Sequence, residues 1–258
     1  MAASLVGGWL PNLIKLGHRH TQMVLSVVSG VMLGVALLHL LPHSINLLDN
    51  ERTALASALT GLLFMFFMIR MFHFHHHDAG EHTEQHECDH QHHEHEIKRA
   101  DVSWVGLATG FAIHTVIDGV ALAAAVSAST SDSIAAQGLA GLGVFLAILL
   151  HKPLDALTIT SLMSARNWAP QKRGFVNLLF SLMCPLGALL FYFGVGQFGS
   201  EQDFVKGVAL AFSAGVFLCI SLSDLLPEVQ FHSHDRLAMS GMLLLGVAAA
   251  LAIEMILL

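Results

Sequence analysis

Charge is scarce in this sequence: Asp, Glu, Lys and Arg make up 12% of its 258 residues, against 54% that are hydrophobic. Soluble domains carry about 25% charged residues, so an ordinary one is excluded. With a mean hydropathy of +0.64, the composition is that of a polytopic membrane protein. The 12 Lys and Arg form no basic patch, and nothing suggests a nucleic-acid partner. The formal net charge of -7 is drawn partly from one acidic, His-rich loop. Cysteine is scarce too: Cys88, Cys184 and Cys219 are scattered between a loop and two apolar runs, so no disulfide framework is suggested. The N-terminus has neither the basic region nor the cleavage site of a signal peptide, so the first apolar run is expected to remain as a span.

Apolar runs are what the chain has in abundance. They predict an all-α fold of eight membrane-spanning helices, near residues 1–16, 21–41, 53–72, 102–127, 138–164, 174–198, 204–226 and 238–258. The first run is short, so either Met1 lies inside a helix whose upstream part is missing or that span is tilted or partial. In this arrangement Lys15, Arg19, Arg70, Lys98, Arg99, Arg166, Lys172, Arg173 and Arg236 fall on one side, and Arg52 and Lys206 on the other. Positive loops stay cytoplasmic, which puts both termini outside. The chain then divides into residues 1–72 (helices 1–3), a loop at 73–100, residues 101–164 (helices 4–5) and residues 165–258 (helices 6–8).

Helices 4 and 5 each carry a histidine and an aspartate near mid-membrane: His114 with Asp118, and His151 with Asp155. A spacing of four residues stacks the members of each pair on one helical face. Two such faces turned together present four N and O ligands, the set a tetrahedral zinc-like ion takes. Ionisable groups at that depth are costly, and their default reading is an ion or proton pathway. Pro153, between the two ligands of its helix, frees the Leu149 carbonyl to line such a path.

Residues 29–43, ending His39-Leu-Leu-Pro42-His43, align without gaps on residues 214–228, ending Asp224-Leu-Leu-Pro227-Glu228. Thr60-Gly61 likewise resembles Ser240-Gly241. The copies fall on spans of opposite direction, the inverted-topology signature of secondary transporters, whose substrate site lies at the repeat interface. The fold class expected is therefore an inverted repeat of helices 1–3 and 6–8 around a central helix 4/helix 5 pair.

The loop after helix 3 interleaves His73, His75, His76, His77, His82, His86, Cys88, His90, His92, His93 and His95 with acidic residues, a flexible, multi-site chelator by composition. His39 and His43 at the outer end of helix 2, and Asp224, Glu228, His232 and His234 at the inner end of helix 7, are candidate ligands at the entrance and exit of a path. Glu254 is read as interfacial. Met32, two turns before His39, is the methionine to watch.

These motifs resemble the signature of the ZIP (Zrt/Irt-like) metal transporters: His114-x-x-x-Asp118-Gly-Val-Ala-Leu, His151-x-Pro-x-Asp155, His39-Leu-Leu-Pro, Asp224-Leu-Leu-Pro-Glu and the His-rich loop. The resemblance covers essentially the whole chain. It implies uptake of a divalent metal into the cytosol, zinc foremost, with iron, manganese, cobalt or cadmium as other substrates, in a plasma or bacterial inner membrane. It further implies helices that move against a more static bundle, often in a homodimer, and no enzymatic activity. Its first metal site maps onto His114, Asp118, His151 and Asp155, with Met32 where some members supply a ligand. Its second site departs at Thr115, Lys152 and Cys184, where the family has asparagine, a carboxylate and glutamate. A mononuclear centre follows, with the Lys152 ammonium in place of the second ion.

There are two rivals, the first of which uses the same ligands. One is an intramembrane zinc hydrolase, which needs a base and oxyanion donors around an open coordination position. The other is a metal sensor or buffer acting through the loop.

Overall fold

The structure, a computed structural model, describes residues 1–13, 18–72, 104–128, 141–231 and 236–257. The His-rich loop, His232 and His234 lie outside the described residues, as do the side chains of Asp224 and Glu228. Within them every regular element is helical. The elements are α1 (Ala2–Leu13), α2 (His18–Gly34), α3 (Leu41–Leu48), α4 (Glu51–Phe72), α5 (Trp104–Ser127), α6 (Leu142–Ala165), α7 (Pro170–Val195), α8 (Gln202–Phe231) and α9 (Arg236–Leu257).

Local chemistry sets several boundaries. Between α2 and α3 the chain stays helical but widens into a π turn over Val35–Leu40, where the Leu41 N–H bonds to the Ala36 carbonyl. Pro42 follows at once; it has no N–H to donate and would crowd the carbonyl four residues back, and the wider turn relieves both. Asp49 ends α3 in the left-handed region (φ 47°), and the Asn50 side-chain oxygen accepts the Thr53 N–H at 3.2 Å to start α4. A 3-10 turn over Gly196–Glu201 separates α7 from α8, and Gly199 at φ 52° supplies its left-handed residue.

Six helical stretches among the described residues are long and apolar enough to cross a membrane: Arg19–Leu48, Glu51–Met71, Ala108–Ser127, Leu142–Ala165, Pro170–Ser223 and Leu237–Met255. The first expected span is present as the 12-residue α1, which is not among the six. The sixth and seventh expected spans fall together in Pro170–Ser223, a stretch of 54 residues broken at Gly199.

Glycines set how these helices meet. α2 packs on α9, α4 on α8, α1 on α6 and α5 on α7. A Cβ at Gly30 would overlap the Leu243 carbonyl oxygen, and one at Gly215 the Ala58 carbonyl oxygen. A Cβ at Gly246 would overlap the Val27 carbonyl oxygen, and one at Gly61 that of Phe212. These contacts are reciprocal: the offset that carries Gly30 to Gly215 also carries Val27 to Phe212, Ala58 to Leu243 and Gly61 to Gly246. Along α2 and α9 contacts advance together, from Gly30 against Leu243 to His39 against Glu254, so the two helices run parallel. Gly246 thus makes a close contact like that of Gly61, whereas a Cβ at Gly241, aligned with Gly61 by sequence, would meet nothing within 4 Å.

A second reciprocity surrounds the middle of the bundle. A Cβ at Gly7 on α1 would overlap the Pro153 carbonyl oxygen of α6, and one at Gly187 on α7 the Val116 carbonyl oxygen of α5. Pro153 and Val116 each lie two residues beyond the histidine of their helix. Backbone therefore approaches backbone just behind the paired polar residues, which holds α5 and α6 closely on both flanks.

Candidate metal centre

α5 and α6 lie side by side and antiparallel, since His114 faces Asp155 while Asp118 faces His151. That crossing brings the two i,i+4 faces together. His114 Nε2 lies 3.5 Å from Asp118 Oδ2 and 3.8 Å from Asp155 Oδ2; His151 Nε2 lies 3.3 Å and 3.9 Å from the same two oxygens. All four ligand atoms fall within 4.8 Å of one another, the one such His/Cys/Asp/Glu group among the described residues. A tetrahedral ion with bonds of about 2.0–2.1 Å sets its ligand atoms about 3.3 Å apart. The four His–Asp separations of 3.3–3.9 Å lie within about 0.6 Å of that value, and the remaining pairs, within 4.8 Å, need up to about 1.5 Å of contraction. His114, Asp118 and His151 are buried, and Asp155 is partly so.

The imidazoles are oriented for the task. His151 Nδ1 lies 2.7 Å from the Ala147 carbonyl oxygen. A carbonyl only accepts, so Nδ1 carries the hydrogen, which leaves Nε2, 3.3 Å from Asp118 Oδ2, as the nitrogen that would meet a metal ion. The Phe217 ring stands edge-on to His151, with centroids 6.1 Å apart. Neither ring nitrogen of His114 has a hydrogen-bond partner among the described residues, and Asp118 Oδ1 also lacks one. Buried polar atoms are nearly always paired. A divalent cation among these four groups would give His114 the partner it lacks.

Lys152 enters the same cluster from the next position of α6. Its Nζ lies 2.5 Å from Asp118 Oδ2 and 3.0 Å from Asp155 Oδ2, and donates to Thr115 Oγ1 at 2.9 Å. Thr115 donates its own hydrogen to the Phe111 carbonyl, leaving its oxygen free to accept. The Phe180 ring lies 5.5 Å from the ammonium. Thr115 and Lys152 therefore meet at the centre, while half-buried Cys184 lends its backbone carbonyl to the close contact with Gly119. Met32 is buried in the apolar cluster that also holds Val144, Ala147 and Phe217.

A second polar contact lies toward the other end of α2. His39 Nδ1 is 2.7 Å from Glu254 Oε2 of α9, and the His39 and His43 rings stack with centroids 5.8 Å apart. His39 also lines the approach to Gly143, at the start of the helix that carries His151. The two residues lie 215 positions apart, so no local sequence signal pairs them. Asp224 and Glu228 lie on α8, whose side chains there are outside the described residues.

Membrane-length helices around a buried set of two imidazoles and two carboxylates define an α-helical, multi-pass membrane protein with a metal-ligand cluster in its interior. The chain belongs to the ZIP zinc transporter family, a family of transporters rather than enzymes: the family pattern described as "ZIP Zinc transporter" matches residues 73–254. It is 34% identical over 146 residues to zinc transporter ZIP9-B of Xenopus laevis, covering 55% of this chain and 46% of that protein. It is 30% identical over 156 residues to zinc transporter foi of Drosophila melanogaster, covering 60% of this chain and 20% of that protein. It is 36% identical over 89 residues to zinc transporter ZupT of Chlorobium luteolum, covering 34% of this chain and 32% of that protein. The match spans about half the length of the ZIP9 relatives.

Proposed function

We propose that this protein carries a divalent metal ion, zinc foremost, across a membrane into the cytosol, and that His114, Asp118, His151 and Asp155 hold one ion at a time on the way. The observation that carries this reading is the convergence of four ligand atoms from two antiparallel helices in the bundle interior. Two imidazoles and two carboxylates form a site of intermediate softness, suited to zinc and open to iron, manganese, cobalt and cadmium. Lys152 supports a mononuclear centre, because its ammonium already bridges the two carboxylates a second ion would need.

The path crosses a molecule we read as eight spans with an inverted repeat. A helix of 54 residues would be about 81 Å long, far beyond a bilayer core of about 30 Å, so Pro170–Ser223 serves as two crossings joined at Gly199. α1 supplies the other, as the counterpart of α7, since Gly7 meets Pro153 as Gly187 meets Val116. Reciprocal contacts of α2 with α9 and α4 with α8 fit the same pseudo-twofold. The Lys and Arg distribution favours both termini outside and the His-rich loop in the cytosol. His39 and His43 then stand near the outer entrance, and Asp224, Glu228, His232 and His234 near the exit.

Uptake of radioactive zinc into proteoliposomes tests the reading. Wild type should load the vesicles, whereas His114→Ala and Asp155→Ala should fall to the level of protein-free vesicles. Equal uptake by wild type and both variants would overturn the assignment.

A further inference from the structure

We propose that the connection between α6 and α7 binds the headgroup of an anionic phospholipid, held by Arg166, Trp168, Lys172 and Arg173, with an acyl chain lying along the outer face of α7. The ligand is one that metal transport does not call for, and the site stands whether or not the transport reading holds.

The sequence isolates these cations. Between Asp155 and Glu201 there is no Asp or Glu, and the only Lys and Arg are Arg166, Lys172 and Arg173, all beside this one connection. Neither Lys172 nor Arg173 forms an ion pair with a carboxylate among the described residues. The Arg173 Nε is buried and has no hydrogen-bond partner among them. An enclosed donor without an acceptor is costly, more so on a charged group, and an anion placed here would supply the acceptor.

The backbone holds the cations in place. The Asn167 N–H donates to the Ser164 carbonyl at 2.9 Å, with Asn167 in the left-handed region at φ 57°, and the Trp168 N–H donates to the Met163 carbonyl at 3.1 Å. Trp168 packs against the apolar cluster of Ala156, Ile159, Met163 and Phe180. The Lys172 ammonium lies 5.9 Å from the centroid of that indole, within reach of a cation–π contact. The ammonium is thus seated over a ring that is itself anchored in the bundle.

The outer face of α7 separates a lipid from a dissolved phosphate. From Lys172, steps of three and four residues lead through Phe175, Leu179, Leu182, Leu186 and Leu189, all exposed and all on one helical face. From Phe175 to Leu189 this stripe is about 21 Å long, more than one leaflet's half of a core of about 30 Å. It ends at Lys172, with Trp168 beside it, and indoles favour the headgroup level of a bilayer. A chain lying on the stripe brings its phosphate to the ammonium, whereas a dissolved anion gains nothing from the apolar face. Under the orientation read from Lys and Arg, this is the cytoplasmic leaflet, the one rich in anionic lipid.

Native mass spectrometry of the full chain in detergent, titrated with phosphatidylglycerol or phosphatidylcholine, tests the site, because these lipids share a phosphate and differ in net charge. Wild type should hold one phosphatidylglycerol about thirtyfold more tightly than phosphatidylcholine, the scale of two interfacial cations. Lys172→Arg should keep that preference, and the double variant Lys172→Gln, Arg173→Gln should bind the two lipids alike. Equal affinity of wild type for both lipids overturns the proposal without any variant, and so does a preference that survives in the double variant. Displacement of the lipid by an equal concentration of inorganic phosphate would make the occupant a dissolved anion, and a stable dimer that retains no lipid would make it a second copy of the chain; either result overturns the assignment to lipid.

Discussion

At the scale of single residues, the bond of His151 Nδ1 to the Ala147 carbonyl matters as much as the position of the ring, because it selects which nitrogen faces the carboxylates. The spacing of His114, Asp118, His151 and Asp155 made this buried cluster legible from sequence, since a helix places positions i and i+4 on one face. Spacing could not show that Lys152 would reach two carboxylates and a hydroxyl at once, which depends on the crossing of α5 and α6. Nor could it pair residues as distant in sequence as His39 and Glu254. If the path proposed above is right, Glu254→Gln should reduce zinc uptake while leaving zinc bound at the central cluster unchanged, because it alters the His39 contact and none of the four clustered residues. Parallel measurements of flux and bound zinc check this; a loss of bound zinc equal to the loss of flux would contradict it.

Among elements, the governing feature is how closely the helices approach. A membrane interior gives apolar side chains little reason to prefer protein over lipid, so helix association relies on small residues that let backbones pack. Gly215 on α8, against the Ala58 carbonyl of α4, is such a position, and Gly241 on α9 is not. Gly215→Val should destabilise the protein by about 1–3 kcal/mol through overpacking, whereas Gly241→Ala should stay within about 0.5 kcal/mol of wild type. Thermal unfolding of both variants in the same detergent gives the comparison, and equal shifts would contradict the packing described here. The repeat between residues 29–43 and 214–228 was visible as a gapless alignment because the chemistry of its polar ends is similar. The register of the partner helices was not, since Thr60-Gly61 and Ser240-Gly241 match as local sequence while the close contacts select Gly246. The π turn was equally hidden: Pro42 announces a distortion of the helix, and the surrounding packing determines which one.

For the whole molecule, composition pointed to a polytopic membrane protein, because it has so few charges among so many apolar residues, and the long apolar runs pointed to helices. The number of crossings was less accessible, since α1 is short for a span and Pro170–Ser223 joins two helices through one apolar stretch. What unites the described structure is its centre, where close contacts from α1 on one flank and α7 on the other press α5 and α6 together around the His/Asp cluster. The most direct test of that centre is the zinc content of purified protein lacking the His-rich residues 73–96, with and without Asp118→Ala. A single tightly held ion per chain, lost in the Asp118→Ala protein, is the expected result; two such ions per chain, or one that survives this substitution, would contradict a mononuclear centre at these residues.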